Sequence, residues 1–115
     1  MIKRAQQIQT DVIDGFKGGH GIVEITRFIE GDEMCNKGRF VAQVILKPGA
    51  SQGYHEHTGE FETFYILEGK AKASDNGTET ILGPGDVLVC YDGHGHSLEN
   101  IGDTDLKVIA VMLNS

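Results

Sequence analysis

Short apolar runs, separated by glycine, asparagine and aspartate, set the rhythm of this chain. Ile22 to Ile29 (IVEITRFI) is rich in β-branched residues and predicts a strand; Phe40 to Leu46 predicts the next, closed by the turn pair Pro48-Gly49. After Gly69 come two short strands, Lys70 to Ser74 and Thr78 to Leu82, folded about Asn76-Gly77, a pair that readily takes the positive φ angles of a hairpin turn. Val87 to Cys90 reads as a buried strand and Ser97 to Asn100 as a further one. Leu106 to Leu113 (LKVIAVML) is a continuous apolar run suited to a strand covered on both faces. Upstream, Met1 to Thr10 predicts an edge strand or an arm, Asp14 to Gly21 a glycine-rich loop, and Glu30 to Lys37 one helical turn. About ten short strands joined by tight turns predict an all-β double-sheet jelly roll.

Length changes this picture little. The 115 residues fit one domain over 1–115, with an N-terminal arm and glycine-rich loop over 1–21 and a barrel over 22–115. Charge narrows the partners: 17 acidic residues against 10 Lys plus Arg give a net charge of -7, and no basic cluster is present, so nucleic acid is not expected. No run approaches the roughly 18 apolar residues that span a membrane. Cys35 and Cys90 belong to no Cys-x-x-Cys pair, and MIKRAQQIQTDVID has no apolar core of secretory length. The expectation is a cytoplasmic protein without a disulfide framework.

Candidate chemistry concentrates in Gly49 to Gly69 (GASQGYHEHTGEFETFYILEG). Side chains alternate faces along a strand, so His55 and His57, two apart, present their imidazoles on one side. A short turn then returns Glu62 to them, on a strand where Glu62, Phe64 and Ile66 share the inward face. His96 heads a downstream strand with Leu98 and Asn100 on its face. Three imidazoles and a carboxylate suit one borderline divalent ion, manganese, iron, cobalt, nickel or zinc, rather than calcium or magnesium. Buried without an ion, such a set would leave several costly unpaired groups. Two neighbours compete: Glu60 shares parity with Glu62, and His94 lies two before His96, though between Gly93 and Gly95 it reads as a loop residue.

These stretches resemble the two motifs of the cupin superfamily. Gly49, His55, His57, Glu62 and Gly69 match the first; Gly85, Gly93, His96 and Asn100 match the second, with Tyr91 where the proline would stand. The missing proline leaves a φ angle of that turn unrestrained. The likeness is strongest to small single-domain cupins labelled oxalate-decarboxylase-like, and its spacing favours Glu62 over Glu60. It implies a metal held by His55, His57, Glu62 and His96, with two positions open for water or ligand, and a homodimer that protects exposed strand edges.

The resemblance also frames the activity. One ion of charge +2 and one carboxylate leave the site near +1, so a small anionic ligand is expected despite the acidic surface, because distant surface charges are screened beyond about 8 Å. The first expectation is a small metalloenzyme acting on an organic acid, of decarboxylase, isomerase or dioxygenase type; the second is a binding cupin without turnover. Glu60, Arg27 and Tyr54 are the candidates for catalytic work, Gln43 and Phe64 for lining the cavity. Oxalate decarboxylases hold substrate with an arginine near the metal, and Arg27 is the one arginine on a central strand, its face left open. Cys35, His20 and the glycine-rich loop read as ordinary thiol, solvated residue and plain connection.

Overall fold

The structure, a computed structural model, describes residues 1–115. Ten strands form: β1 (Thr10–Asp14), β2 (Ile22–Glu30), β3 (Gly38–Leu46), β4 (Ser51–Glu56), β5 (Glu60–Glu68), β6 (Ala71–Asp75), β7 (Thr78–Leu82), β8 (Val87–Cys90), β9 (Gly95–Asn100) and β10 (Leu106–Asn114). They build a six-stranded sheet in the order β1-β2-β3-β10-β5-β8 and a four-stranded sheet in the order β4-β9-β6-β7. Every pairing is antiparallel. This is the all-β jelly roll expected of the pattern. No helix is long and apolar enough to cross a membrane.

Alternation makes the core. Val23 and Ile25 of β2, Ala42, Val44 and Leu46 of β3, Phe64 and Ile66 of β5, and Leu106, Val108 and Ala110 of β10 point inward from the large sheet. Ala71, Ala73 and Leu98 meet them from the small one. Each fully buried leucine or isoleucine contributes about 1.5–3 kcal/mol. The run Leu106 to Leu113 departs from expectation, since its alternate residues Ile109 and Val111 are only half-buried on the outer face. As the middle strand between β3 and β5, β10 is apolar on both sides although the chain covers only one.

Turn chemistry behaves locally. Asn76 and Gly77 both take positive φ, 50° and 97°, which closes the β6–β7 hairpin. The polar stretch after β2 makes one 3-10 turn, Gly31–Met34. At the N-terminus the edge strand lies at Thr10–Asp14, where its register runs Thr10 opposite Thr26 to Asp14 opposite Ile22; the nine residues before it form a short 3-10 turn at Ala5–Gln7, and Lys3 bonds the Phe28 carbonyl. Asn100 ties the two sheets together. Its buried amide donates to the carbonyls of Leu46 and Thr104 and accepts from the Gly102 N–H, so all its polar atoms are satisfied.

Candidate metal centre

Four side chains from both sheets converge inside the barrel. His55 on β4 lies opposite His96 on β9, while Glu62 on β5 lies opposite Cys90 on β8 and Met112 on β10. His57 follows β4 immediately, and its backbone is held by the 91–94 turn: its N–H donates to the His94 carbonyl and its carbonyl accepts from the Gly93 N–H. Tyr91, at the position of the missing proline, stacks on Phe61 at 6.2 Å, and its carbonyl accepts the His94 N–H. Stacking and backbone bonds thus hold this turn. The same turn is tied to Gly59 and to the last residue, because Asp92 accepts from the Gly59 N–H and the Ser115 hydroxyl. The Ser115 hydroxyl, followed by the Gly59 N–H, holds its carboxyl below the usual range against the opposing effect of burial.

The donor atoms are close together. His57 Nε2 is 3.0 Å from His96 Nε2, which is 3.2 Å from His55 Nε2; Glu62 Oε1 stands 3.2 Å from His96 Nε2 and 3.4 Å from His57 Nε2. All four lie within 4.8 Å of one another. Two donors each about 2.1 Å from one ion are about 3.0 Å apart at a right angle and about 3.4 Å apart at the tetrahedral angle. These four edges span that range, and the two from His55 to His57 and Glu62 lie within 4.8 Å.

Tautomers argue the same way. His55 Nδ1 is 2.7 Å from the Gly53 carbonyl and donates its proton there, which leaves Nε2 as a bare lone pair aimed at the other two imidazoles. His57 Nδ1 faces Glu60 Oε1 at 3.4 Å. Glu62 Oε1, almost fully buried, has no hydrogen-bond partner. Lone pairs and a carboxylate pressed together repel unless a cation lies between them. The donor set therefore fits one divalent transition ion.

Electrostatics without the ion show the strain. Burial, reinforced by the other two imidazoles, pushes His55 below the ordinary histidine value. The Glu62 carboxylate, 3.4 Å from its Nε2, raises His57. For Glu62, burial acts to raise its carboxyl, but His57 and His96 together outweigh it and the net direction is down. Phe64 sets the remaining wall, its ring stacked on His96 at 4.9 Å with an interplanar angle of 1°.

A cavity of about 200 Å³ opens beside the cluster, lined among others by Phe16, Lys17, Arg27, Arg39, Gln52 and Glu60. Arg27 shares inward parity with Val23 and Ile25, so its face was readable from the alternation. Its guanidinium pairs with Asp11 at 2.6 Å and lies over the Phe40 ring. Glu60 is a neighbour of the cluster, bridging His57 to Arg39 at 3.1 Å. Tyr54 does not line the cavity; it is 50% exposed and packs over Gly95 on the outer side of β4. Gln43 likewise stands outside, alternating with the buried Ala42 and Val44. His94 is exposed and contributes backbone alone. Unforeseen were Gln52, Arg39 and Lys17. Gln52 reaches the same side as His55, three residues away, because the β4–β9 register shifts between them, and Gly53 inside the strand is the one trace of that bulge.

Comparison with known proteins adds relatives. The cupin domain family matches residues 42–112. A Thermotoga maritima protein named oxalate-binding protein is 41% identical over 113 residues, 98% of this chain and 93% of that one. A crystal structure from Thermotoga maritima, described as a predicted oxalate decarboxylase, is similar with a TM-score of 0.94 and 40% identity, covering 100% of both chains. The polyketide cyclase RemF of Streptomyces resistomycificus shares the fold alone, with a TM-score of 0.77 at 16% identity over 99% of this chain and 80% of that one.

Proposed function

This chain belongs to the cupin family, and from that premise we propose that it binds a small carboxylate of the oxalate class at a metal held by His55, His57, Glu62 and His96. The observation that carries this reading is the convergence of three buried donors and the half-buried His55 beside a cavity whose lining includes Lys17, Arg27 and Arg39. Mixed imidazole and carboxylate donors favour manganese, iron, cobalt, nickel or zinc. When bound, such an ion supplies Lewis acidity toward a carboxylate or carbonyl oxygen. The protein residues do the rest. Glu60 orients His57, Phe64 stacks on the His96 ring and fixes its plane, and Lys17, the lining cation without a carboxylate partner, makes the entrance favourable to anions.

Size supports a small ligand. About 200 Å³ is roughly seven times the volume of a liquid water, about 30 Å³. A carboxylate of two to four carbons fits there. The name of the Thermotoga relative supports binding as the common step. Turnover is the second reading, favoured by Glu60, a carboxylate that reaches the cavity with its side chain only 17% exposed and so stands ready to move a proton. For oxalate the balanced reaction is hydrogen oxalate to formate and carbon dioxide.

The test is elemental analysis of protein purified without chelators, beside His96→Ala, followed by calorimetric titration with oxalate. About one ion per chain, lost in the variant together with oxalate binding, is the expected result. Folded wild-type protein that retains no ion from any of the five metals would sink the proposal. Formate release from the bound ligand would decide for turnover. The same reading includes a homodimer in a reducing compartment, in keeping with two free cysteines.

A further inference from the structure

Two groups on the cavity wall take no part in the metal cluster. Gln52 is 5% exposed, and its Oε1 has no partner. Its Nε2 lies 3.5 Å from His55 Nε2, at the limit of a hydrogen bond and toward a lone pair that an ion would claim. Leaving a buried amide unpaired costs about 1–3 kcal/mol. A molecule entering the cavity could supply that partner.

Lys17 is the second group. It sits in the left-handed region, φ 55° and ψ 33°, where a residue with a Cβ pays about 1–2 kcal/mol that glycine avoids. Of the three cations lining the cavity, Arg27 is neutralised by Asp11 and Arg39 by Glu60. The Lys17 ammonium has no carboxylate partner and lies 5.7 Å over the Phe16 ring, itself part of the cavity wall. Loop and strand meet backbone to backbone, for a Cβ on Gly53 would strike the Lys17 carbonyl. Gly53 follows Gln52, so the free cation and the unpaired amide stand on neighbouring pieces of wall.

We propose that Gln52 and Lys17 form a recognition pair that selects small dianions over monoanions. Resting on the metal-dependent carboxylate reading, this assigns each group a task. The Gln52 amide donates to an oxygen of the inner carboxylate and accepts from a hydroxyl or water beside it. Lys17 neutralises the outer carboxylate, whose charge no other lining cation is free to meet. A monocarboxylate uses Gln52 alone.

Manganese-loaded wild type, Lys17→Met, Lys17→Gly and Gln52→Met would be titrated by calorimetry at pH 7 with oxalate, malonate and acetate, with metal content and melting temperature measured on each sample. Lys17→Met is expected to weaken oxalate and malonate about tenfold and to change acetate less than about twofold. Gln52→Met should weaken all three with the metal retained. Lys17→Gly should lose the same dianion affinity while melting at or above the wild-type temperature, because it releases the left-handed strain; a merely structural lysine would not behave so. Dianion affinity unchanged in both Lys17 variants, or metal lost from Gln52→Met, overturns the pair while leaving the metal reading standing. A loaded wild type that binds none of the three acids overturns the carboxylate reading, and the pair with it.

Discussion

At the scale of residues, Glu62 and His57 decide how the metal-free site responds to acid. Glu62 is held below its ordinary value of 4.5, so its contribution to stability is complete above that pH and fades as pH falls through the lowered value. His57 is held above its ordinary 6.5, so its contribution is complete below that pH and fades as pH rises through the raised value. Stabilisation of the metal-free protein by this pair is therefore fullest between 4.5 and 6.5. Binding of the ion runs the other way, because it requires bare imidazoles. Melting curves with and without manganese should separate further from pH 5 to pH 8; a constant gap would contradict the assignment of the histidines as ligands. Cysteine offers a second residue-scale prediction. Burial, with help from Glu62 and Asp75, lifts the Cys90 thiol to about 11, whereas Cys35 is exposed. A thiol reagent at pH 8 should modify one cysteine per folded chain and both after denaturation, as read by mass.

At the scale of elements, the glycine-rich loop and β4 act as one unit. Gly19 and Gly53 face backbone oxygens of the opposite piece, the Ser51 and Lys17 carbonyls, so neither position has room for a side chain. His20 N–H adds a bond to the Ser51 hydroxyl, and Ser51 N–H bonds the His20 carbonyl. Gly53→Ala should cost about 1–3 kcal/mol, since the clash is with main chain and cannot be relieved by a rotamer. Urea unfolding should show that loss, and its ligand affinity should fall beyond what the stability change explains. Wild-type stability would mean that the loop is free of the strand. The bulge in β4 matters equally, because it carries Gln52 to the face of His55.

At the scale of the whole molecule, the six-stranded sheet has one face without a cover. Tyr65, Leu67 and Val87 stand exposed on it, with Tyr65 directly opposite both Val87 and Ile109. Contiguous apolar area on a sheet surface marks an interface. A second copy of the chain is the proposed occupant, and light scattering should give twice 12.5 kDa. Lys in place of both Tyr65 and Val87 should halve that mass without unfolding the barrel, since both side chains are outside the core. A wild-type mass of one chain would remove the dimer.

The sequence by itself determined the strands and the four converging donors. The strands and the pairing of His55 with His57 rest on short-range rules, alternation and the Asn76-Gly77 turn, whereas the choice of Glu62 over Glu60 and the inclusion of the distant His96 rest on the likeness to the two cupin motifs. Alternation carried more than was drawn from it: the parity of Val23 and Ile25 extends to Arg27, whose face was left open, and that of Ala42 and Val44 turns Gln43, expected in the cavity, outward. Only the tertiary structure decided what surrounds the cluster. Gln52 changed face through a bulge that alternation does not foresee, and Tyr54 was turned outward beside it. Arg39 and Lys17 reached the cavity from remote segments, one beside Phe40 on β3 and the other on a loop pressed against Gly53. Local pattern governs which way a side chain points within its own strand, whereas the neighbours of a cavity depend on how distant strands pair and where a ladder slips.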